Sequence, residues 1–405
     1  MDQRRAPGRD LRYAPTRSAN GAVQSGDGSG NMKITGLSVA RVRVNHRGDW
    51  LFVQLTTDDG ITGIGEASHG GFSPQRDQIV TMILEAQCTP VLIGKDPRAV
   101  AAVSDALHPL VDGLAAATAV SACEQALWDI AGKAAGIPVY RLFGGPVRDR
   151  IPLYANINRA ARERTPADFA RHAQDAVSAG FRAVKCAPFD GMNQRRVQEP
   201  EQRARMRRGI ACIAAVRDAV GPTIDLYVDC HSMFDAPTAI EVARDLAALG
   251  VRWFEEPVPT EDRETLRALR PHVHALGMEL IGGELLYGIA GFLPYLAPRL
   301  FDLIMPDVKH CGGIAALHAI ASAADACGIA VAPHNPSGPV SMAASAQIAA
   351  ALPQLRALEY AWDEVPWRAA LLTPPERIED GMYVLPDGPG LGFSLNDAVI
   401  GAHVA

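Results

Sequence analysis

Short apolar runs alternate with longer helix-like stretches through the chain from residue 151 onward. IPLYANIN, at 151–158, and FRAVKCAP, at 181–188, have the length and composition of buried strands. Helix-like stretches follow them at 165–180 and at about 201–220. Six further apolar runs repeat this form, separated by polar or alanine-rich segments: DLYV, VRWF, ELIGG, LIMPDV, IAVAPH and LRALEY. Eight such strands in alternation with helices are typical of a parallel α/β barrel.

Three carboxylates stand at the ends of successive strand-like runs. Asp229 follows DLYV, Glu255 follows VRWF and Glu284 follows ELIGG. Each therefore falls where a buried strand reaches its carboxyl end, on the face where such barrels build their active sites. A single acid after a strand is often only the cap of the next helix. Three in successive units instead predict a cluster of hard oxygen ligands, which suits Mg²⁺.

Polar residues also stand near the ends of the other predicted strands. Lys185 lies near the end of the second strand, and Asp307 lies near the end of the run LIMPDV. His334 ends IAVAPH and Glu359 lies in LRALEY. Chance alternation of apolar and polar runs does not readily place seven such residues at strand ends. The pattern therefore predicts a polar active site at one rim of the barrel.

The chain before and after the predicted barrel has a different pattern. Residues 1–31 are rich in Arg, Gly, Ser and Asn, which predicts a disordered tail. Residues 32–150 begin with strand-like runs and a DDG turn and continue with helical stretches, which predicts an α+β domain. We assign the barrel to residues 151–375. The short extended segments at 376–405 are expected to return to the first domain.

Composition restricts the class of protein. The chain has 405 residues, 48% of them hydrophobic, enough for a barrel and a smaller domain. No apolar run approaches the roughly 18 residues of a membrane span. The net charge of −6 is mild and scattered, so we expect neither a membrane nor a nucleic acid as partner. Seven cysteines without CxxC spacing predict reduced packing residues and a cytoplasmic protein.

An ordered set of motifs resembles the mandelate racemase/muconate lactonizing enzyme family of the enolase superfamily. The motifs are GITGIGEAS, ALWDIAGKAAGIPVYRLFGG, VDCH, WFEEP, GGE, MPDVKHCGGI, APHNPSGPVS and PDGPGLG. The resemblance implies a (β/α)₇β modified TIM barrel with an α+β capping domain, formed by the N-terminal region and the C-terminal segment. It also implies Mg²⁺, a small carboxylate substrate that loses its α-proton, and assembly into homodimers or larger homo-oligomers.

The same resemblance implies a role for each residue by its position. Glu256 would lie behind the metal ligands or form an ion pair. Asp307 and His334 would form a base dyad, and Glu359 would donate or accept opposite the metal. The implied metal ligands are Asp229, Glu255 and Glu284. The chemistry explains why such groups occur together: an imidazole removes a weakly acidic α-proton only if a cation stabilises the enediolate as it forms.

The second predicted strand bears on the type of reaction. Racemases of this family usually carry a second lysine two residues after the first, and here that position is Ala187, which cannot take a proton. Two-base racemisation through that arrangement is therefore not expected. Lys185 has two interpretations: it contacts the substrate carboxylate or supplies positive potential, or it only snorkels from the barrel rim.

His231 suggests a dehydratase. It follows Asp229 by two residues, which places it on the same face of an extended chain. There it could protonate a departing β-hydroxyl, as in galactonate dehydratase-type acid-sugar dehydratases, which this motif resembles. It could equally be a loop histidine or a contact to a substrate hydroxyl. We expect an aldonate or aldarate dehydratase that forms a 2-keto-3-deoxy acid.

Other reactions and contacts stay open at this stage. An epimerase or racemase, a cycloisomerase or a lactonizing enzyme would use the same metal site. A non-catalytic sugar-acid-binding barrel would need neither a base nor an acid beside the metal. Cap loops at 46–50 and 69–74 are expected to select the far part of the substrate. The candidate substrate contacts, each of which could instead be a packing residue, are His69, Phe72, His310, Trp362 and Trp367.

Overall fold

An antiparallel sheet begins the part of the chain that the structure describes. The computed structural model describes residues 32–71 and 75–405, so the predicted tail at 1–31 and Phe72 lie outside the described residues. Strands pair in chain order, with a DDG turn between the last two: β1 (Ile34–Asn45), β2 (Gly48–Thr57) and β3 (Thr62–Glu66).

Helices complete the capping domain. They are α1 (Arg76–Ile83), a π-helical turn (Leu84–Cys88), α2 (Thr89–Leu92), α3 (Val100–Leu107), a 3₁₀ turn (His108–Leu110), α4 (Leu114–Ala135) and α5 (Val139–Leu142). The long helix α4 lies against β3, and the glycines of GITGIGEAS permit this contact. A Cβ atom on Gly63 would lie 2.1 Å from the carbonyl oxygen of Ala126, and one on Gly65 would lie 2.0 Å from that of Ala122. Only a residue without a side chain allows so close an approach.

Eight parallel strands form the barrel. They are β4 (Arg150–Asn156), β5 (Ala183–Cys186), β6 (Asp225–Asp229), β7 (Val251–Glu255), β8 (Glu279–Gly282), β9 (Leu303–Ile304), β10 (Ala330–Val331) and β11 (Leu358–Ala361). Strand β11 pairs with β4. A backbone hydrogen bond of 2.8 Å from Arg356 N to Val331 O joins the other edge to β10, which closes the barrel.

Seven helices connect these strands. They are α6 (Pro166–Ser178), α7 (Pro200–Val220), α8 (Ala236–Ala248), α9 (Arg263–Ala275), α10 (Gly288–Leu296), α11 (Ile314–Ala326) and α12 (Pro339–Ala351). A 3₁₀ turn (Gln194–Arg196) precedes α7. Several begin at capping side chains: Thr165 accepts a bond from the first turn of α6, Asp235 from that of α8 and Asp262 from that of α9. These caps end the loops that carry the active-site residues.

Aromatic side chains fill the barrel below its polar rim. Tyr227 and Trp253 stack with ring centroids 3.7 Å apart, and Tyr154 meets both rings edge-on. Strands β9 and β10 are shorter than the apolar runs that predict them. Pro306 and Pro333 follow these strands closely, and proline has no N–H group with which to continue the ladder.

The C-terminal segment packs on both the barrel and the cap. It contains a 3₁₀ turn (Ala369–Leu371), β12 (Leu372–Thr373), β13 (Ile378–Glu379), β14 (Met382–Val384), β15 (Ser394–Leu395) and α13 (Asp397–Ala402). Strand β14 pairs with β4, and Arg43 N of the cap donates to His403 O at 2.8 Å. The predicted fold class, a (β/α)₇β barrel with an α+β cap, is confirmed. No helix within the described ranges is long and apolar enough to cross a membrane.

Candidate active site

Three carboxylates converge at the carboxyl ends of neighbouring barrel strands. Asp229 ends β6, Glu255 ends β7 and Glu284 lies two residues after β8. One oxygen atom of each lies within 4.8 Å of the others, and all three side chains are buried. The register of β6 and β7 pairs Asp229 directly with Glu255. The parallel strands thus bring together residues that are far apart in the chain.

This cluster fits a hard divalent cation. Its donors are carboxylate oxygens, the ligands that Mg²⁺ prefers. Glu255 Oε2 is buried and has no hydrogen-bond partner among the described residues. Burial, followed by the negative charge of Asp229, raises the pKa of Glu255 well above its usual value despite the counteracting charge of Lys185. A bound cation would relieve this repulsion, so the residues present suit the predicted metal.

Glu256 braces the turn that carries one of these carboxylates. Its Oε1 atom accepts a 2.8 Å hydrogen bond from Gly283 N, the residue before Glu284. Burial, followed by the charge of Glu284, raises the pKa of Glu256 to about 7. The side chain thus contacts the backbone next to one carboxylate of the cluster.

His334 connects the carboxylate cluster to Asp307. Its Nδ1 atom lies 2.8 Å from Asp307 Oδ2, and its Nε2 atom lies 2.9 Å from Glu284 Oε2. Burial alone would lower the pKa of His334, but Glu284, Glu359 and Asp307 outweigh it and raise the pKa to about 10. A cation at the cluster would neutralise Glu284 and bring this pKa down toward the range of a general base.

Lys309 completes this group and was not identified from the sequence. Its Nζ atom lies 2.8 Å and 2.6 Å from the two oxygens of Asp307, and both side chains are buried. Burial alone would raise the pKa of Asp307, but Lys309, His310 and His334 hold it well below its usual range. Asp307 therefore stays ionised as the acceptor of the His334 N–H. The Asp-x-Lys spacing in PDVKH was the available signal.

Lys185 lies inside the barrel, not at its outer rim. Its Nζ atom is 2.9 Å from Glu255 Oε1, 2.8 Å from Glu359 Oε1 and 3.6 Å from Asp229 Oδ2. The side chain is 1% exposed, which does not agree with the snorkelling interpretation. Strand β5 is fully buried and points Lys185 inward, so the ammonium group compensates the carboxylates around it. Glu359 is also held by Asn156 Nδ2 at 2.7 Å.

His231 reaches the carboxylate cluster from a turn. Strand β6 ends at Asp229, and His231 has a φ of +45° in the left-handed region, so the extended geometry assumed from the sequence does not apply. Its Nε2 atom is 2.9 Å from Asp229 Oδ2 and its Nδ1 atom is 2.5 Å from Asp190 Oδ1. Burial would lower the pKa of His231, but the two carboxylates raise it well above its usual value. Asp190 was not identified from the sequence.

A cavity of about 210 Å³ opens onto these groups. Charged and polar residues make up most of its lining, with four Arg or Lys side chains and two carboxylates: Arg47, His69, Arg76, Asn156, Asn158, Arg159, Asp229, His231, Glu284, Lys309, His310, His334 and Ser337. His69 Nδ1 lies 3.0 Å from Ser337 Oγ, and His310 Nδ1 lies 2.9 Å from Thr118 Oγ1. Burial, opposed by the charge of Asp307, lowers the pKa of His310 to about 4. Both histidines line the cavity, where these hydrogen bonds hold their rings.

The structure does not bring the two tryptophans to this cavity. Trp362 packs edge-on against Phe181, with ring centroids 5.2 Å apart. Trp367 stacks on His403 at 4.0 Å and meets Trp50 at 5.5 Å. Both rings are half-buried in these contacts, and neither lines the cavity. The expectation that Trp362 and Trp367 line the substrate side is not met.

Comparison with known proteins agrees with this architecture. Residues 32–144 match the family domain described as "Mandelate racemase / muconate lactonizing enzyme, N-terminal domain". Residues 168–399 match the domain described as "Enolase C-terminal domain-like". The chain belongs to the enolase superfamily. Within it, the mandelate racemase/muconate lactonizing enzyme family predicted from the sequence is confirmed.

Relatives of this superfamily member share most of its length. It is 33% identical over 355 residues to a D-gluconate dehydratase of Thermoproteus tenax, covering 86% of this chain and 69% of that protein. It is 30% identical over 382 residues to a D-xylonate dehydratase of Haloferax volcanii, covering 92% and 89%. The solved structure of a mandelate racemase/muconate lactonizing enzyme from Jannaschia sp. CCS1 superposes with a TM-score of 0.81 at 31% identity, covering 92% and 98%.

Proposed function

We propose that this protein is a Mg²⁺-dependent dehydratase of a sugar acid, a carbon–oxygen hydro-lyase. One observation carries the proposal. Two imidazoles meet the carboxylate cluster at different members: His334 contacts Glu284 and His231 contacts Asp229. A base and an acid placed on one cluster suit removal of an α-proton followed by loss of a β-hydroxyl.

His334 serves as the base that removes the α-proton. Asp307 accepts its Nδ1–H, which leaves Nε2 free to take a proton and stabilises the imidazolium that results. Lys309 lowers the pKa of the Asp307 carboxyl, so Asp307 stays ionised. Mg²⁺, when held by Asp229, Glu255 and Glu284, would stabilise the negative charge of the enediolate.

His231 serves as the acid that protonates the departing β-hydroxyl. Asp190, which is not one of the proposed metal ligands, accepts the Nδ1–H of His231 and favours its protonated form, so a proton is available when the C–O bond breaks. The enol product then tautomerises to a 2-keto-3-deoxy acid. Ala187 stands where racemases of the family carry their second base, which leaves elimination as the better-supported outcome. Relatives named for the dehydration of D-gluconate and D-xylonate support the same reaction class.

A panel of aldonic and aldaric acids, assayed for 2-keto acid, tests the proposal. The wild-type enzyme with Mg²⁺ should form a 2-keto-3-deoxy acid from at least one of them. His231→Asn should block this product by about 100-fold or more, the effect of losing a general acid. His272→Asn, an exposed histidine on α9, is the matched control and should keep full activity.

Two results would count against this function. Normal dehydration by His231→Asn would remove the acid from the mechanism. An enzyme that epimerises or cyclises these acids but never yields a 2-keto acid would overturn the dehydratase assignment as a whole. The His231→Asn variant, incubated in D₂O with its substrate, should still exchange the α-proton where the enediolate is reprotonated by His334.

A further inference from the structure

Three arginines line the same cavity as the carboxylate cluster. Arg47 lies in the turn between β1 and β2, Arg76 begins α1, and Arg159 follows β4. Arg76 Nη2 donates to the carbonyl oxygen of Arg47 at 2.8 Å, and Arg159 Nη2 lies 3.3 Å from Nε2 of His69. The cap and the first barrel loop thus contribute to one cationic wall, formed by Arg47, Arg76 and Arg159.

The cationic wall has fewer carboxylates close to it than it has arginines. Arg47 pairs with Asp190 at 2.7 Å, but Asp190 also pairs with Arg164 at 3.2 Å and with His231. Arg159 pairs with Glu364 at 3.1 Å. Arg368, 4.0 Å from Glu364, has a nearer partner in Glu376 at 2.7 Å, so Glu364 compensates Arg159 alone. The wall therefore keeps a net positive charge.

Arg76 has the weakest compensation. Within the described ranges its one paired carboxylate is that of Asp77, 3.7 Å from Arg76 Nε, which is longer than a hydrogen bond. Asp77 also lies 3.6 Å from Arg41, whose nearer partner is Asp49 at 2.8 Å. The Arg76 side chain is nevertheless only 23% exposed. A partly buried guanidinium without a close counter-ion is costly unless a ligand supplies the anion.

His69 lies beside Arg159, a member of the cationic wall. Its pKa is lowered well below the usual value, first by burial and then by Arg159, Lys309 and Arg76. The ring is hydrogen-bonded to Ser337 and faces the cavity. The positive potential of the wall therefore extends into the space where a substrate would lie.

We propose that Arg47, Arg76 and Arg159 bind a second carboxylate at the end of the substrate remote from the reacting one. This inference rests on the proposed function and refines it: the substrate is a dicarboxylic sugar acid, an aldarate. A planar guanidinium matches a carboxylate through two parallel hydrogen bonds. A monocarboxylic aldonate would place a neutral hydroxymethyl group against the wall and leave its charge uncompensated.

Matched substrate pairs test the terminal group alone. D-gluconate and D-glucarate share their configuration from C2 to C5, as do D-galactonate and galactarate, so each pair differs at the last carbon. We expect kcat/KM for 2-keto acid formation to be at least about 10-fold higher for the diacid of a productive pair, the gain expected from one hydrogen bond to a charged group. 6-Phosphogluconate is tested as a third substrate. A higher kcat/KM for 6-phosphogluconate than for D-glucarate would overturn the assignment of a carboxylate as the group that the wall binds.

Variants connect this preference to the wall. Arg76→Gln should lower the diacid-to-monoacid ratio by about 10- to 100-fold, and Arg76→Lys should recover part of it because it restores the charge without the planar fork. Arg162→Gln, at an exposed arginine outside the cavity lining, is the matched control and should keep the wild-type ratio. An unchanged ratio in Arg76→Gln would overturn the inference.

A measurement on the unmodified enzyme keeps the test independent of variant folding. Added NaCl should reduce kcat/KM for the diacid more steeply than for the monoacid, because salt screens the extra charge pair. Equal salt dependence, or equal turnover of both acids, would overturn the dicarboxylate inference and leave the dehydratase intact. Absence of 2-keto acid from every acid would instead overturn the proposed function.

Discussion

Asp307 has two roles, and substitution by asparagine removes both. Asp307 accepts the Nδ1–H of His334 at 2.8 Å, and its two oxygens hold Lys309 at 2.8 Å and 2.6 Å. Both Asp307 and Lys309 are fully buried. The asparagine variant keeps the shape of the side chain and removes its charge, so it removes the counter-ion of a buried ammonium group and the anionic partner of the base together.

The two losses have different expected sizes. Leaving the buried Lys309 without its counter-ion should lower the free energy of unfolding by about 3–5 kcal/mol. Weaker stabilisation of the His334 imidazolium, together with the wrong tautomer, should lower kcat by about 100- to 10,000-fold, since the general base acts through this contact. The first effect belongs to the ion pair and the second to the dyad.

Lys309→Met and the double variant Asp307→Asn/Lys309→Met distinguish these effects. Urea denaturation should place the double variant within about 2 kcal/mol of the wild type, since neither buried charge remains. Its kcat should stay about 100-fold or more below that of Lys309→Met, because His334 still lacks an anionic partner. If the double variant matches Lys309→Met in kcat, Asp307 acts only as the counter-ion of Lys309, and the dyad is refuted.

Further predictions address the metal, the base and the contact between cap and barrel. EDTA should abolish activity and Mg²⁺ should restore it. Glu284→Gln should weaken Mn²⁺ binding by about 100-fold or more, as measured by electron paramagnetic resonance. Wild-type affinity for Mn²⁺ in this variant would contradict the metal site. His334→Asn should stop α-proton exchange in D₂O, measured by proton NMR, while Mn²⁺ binding persists; undiminished exchange would move the base to Lys185. Glu66→Gln should lower the urea-derived free energy of unfolding by about 2–3 kcal/mol, because Glu66 accepts bonds of 2.7 Å and 2.8 Å from backbone N–H groups at the start of α12. An unchanged free energy of unfolding in Glu66→Gln would refute the capping role.

Local sequence patterns were sufficient to predict the barrel. DLYV and VRWF became β6 and β7, because a short apolar run bounded by turns is stable only when both faces are covered. Because all barrel strands are parallel, the residues at their carboxyl ends must lie on the same face of the barrel. This constraint brought Asp229, Glu255 and Glu284 together without information on tertiary contacts.

Other features of the site depend on contacts that no local pattern encodes. Asp190 meets His231 because a left-handed residue turns the chain after β6, and nothing in VDCH signals a φ of +45°. Trp362 was expected near the substrate from its position after β11. Its ring is instead half-buried against Phe181, and this contact covers part of its apolar surface away from the cavity.

The capping domain contributes to the position of the base as well as to the shape of the cavity. One face of α4 holds the loop after β9 through four side chains. Thr118 bonds the imidazole of His310 at 2.9 Å and Ser121 accepts from Gly312 N at 2.9 Å. The other two are Glu124, which accepts from the first N–H groups of α11, and Gln125, which donates to Val308 O.

This loop carries Asp307, the residue that orients His334. A change in the cap that alters the position of α4 would therefore move the dyad as well as the cationic wall. Substitutions that adapt the cavity to a new acid should act on kcat together with KM, because both depend on the same cap-to-barrel contacts. The bonds between α4 and the β9 loop limit how far the substrate range can change while the rate of proton removal is kept.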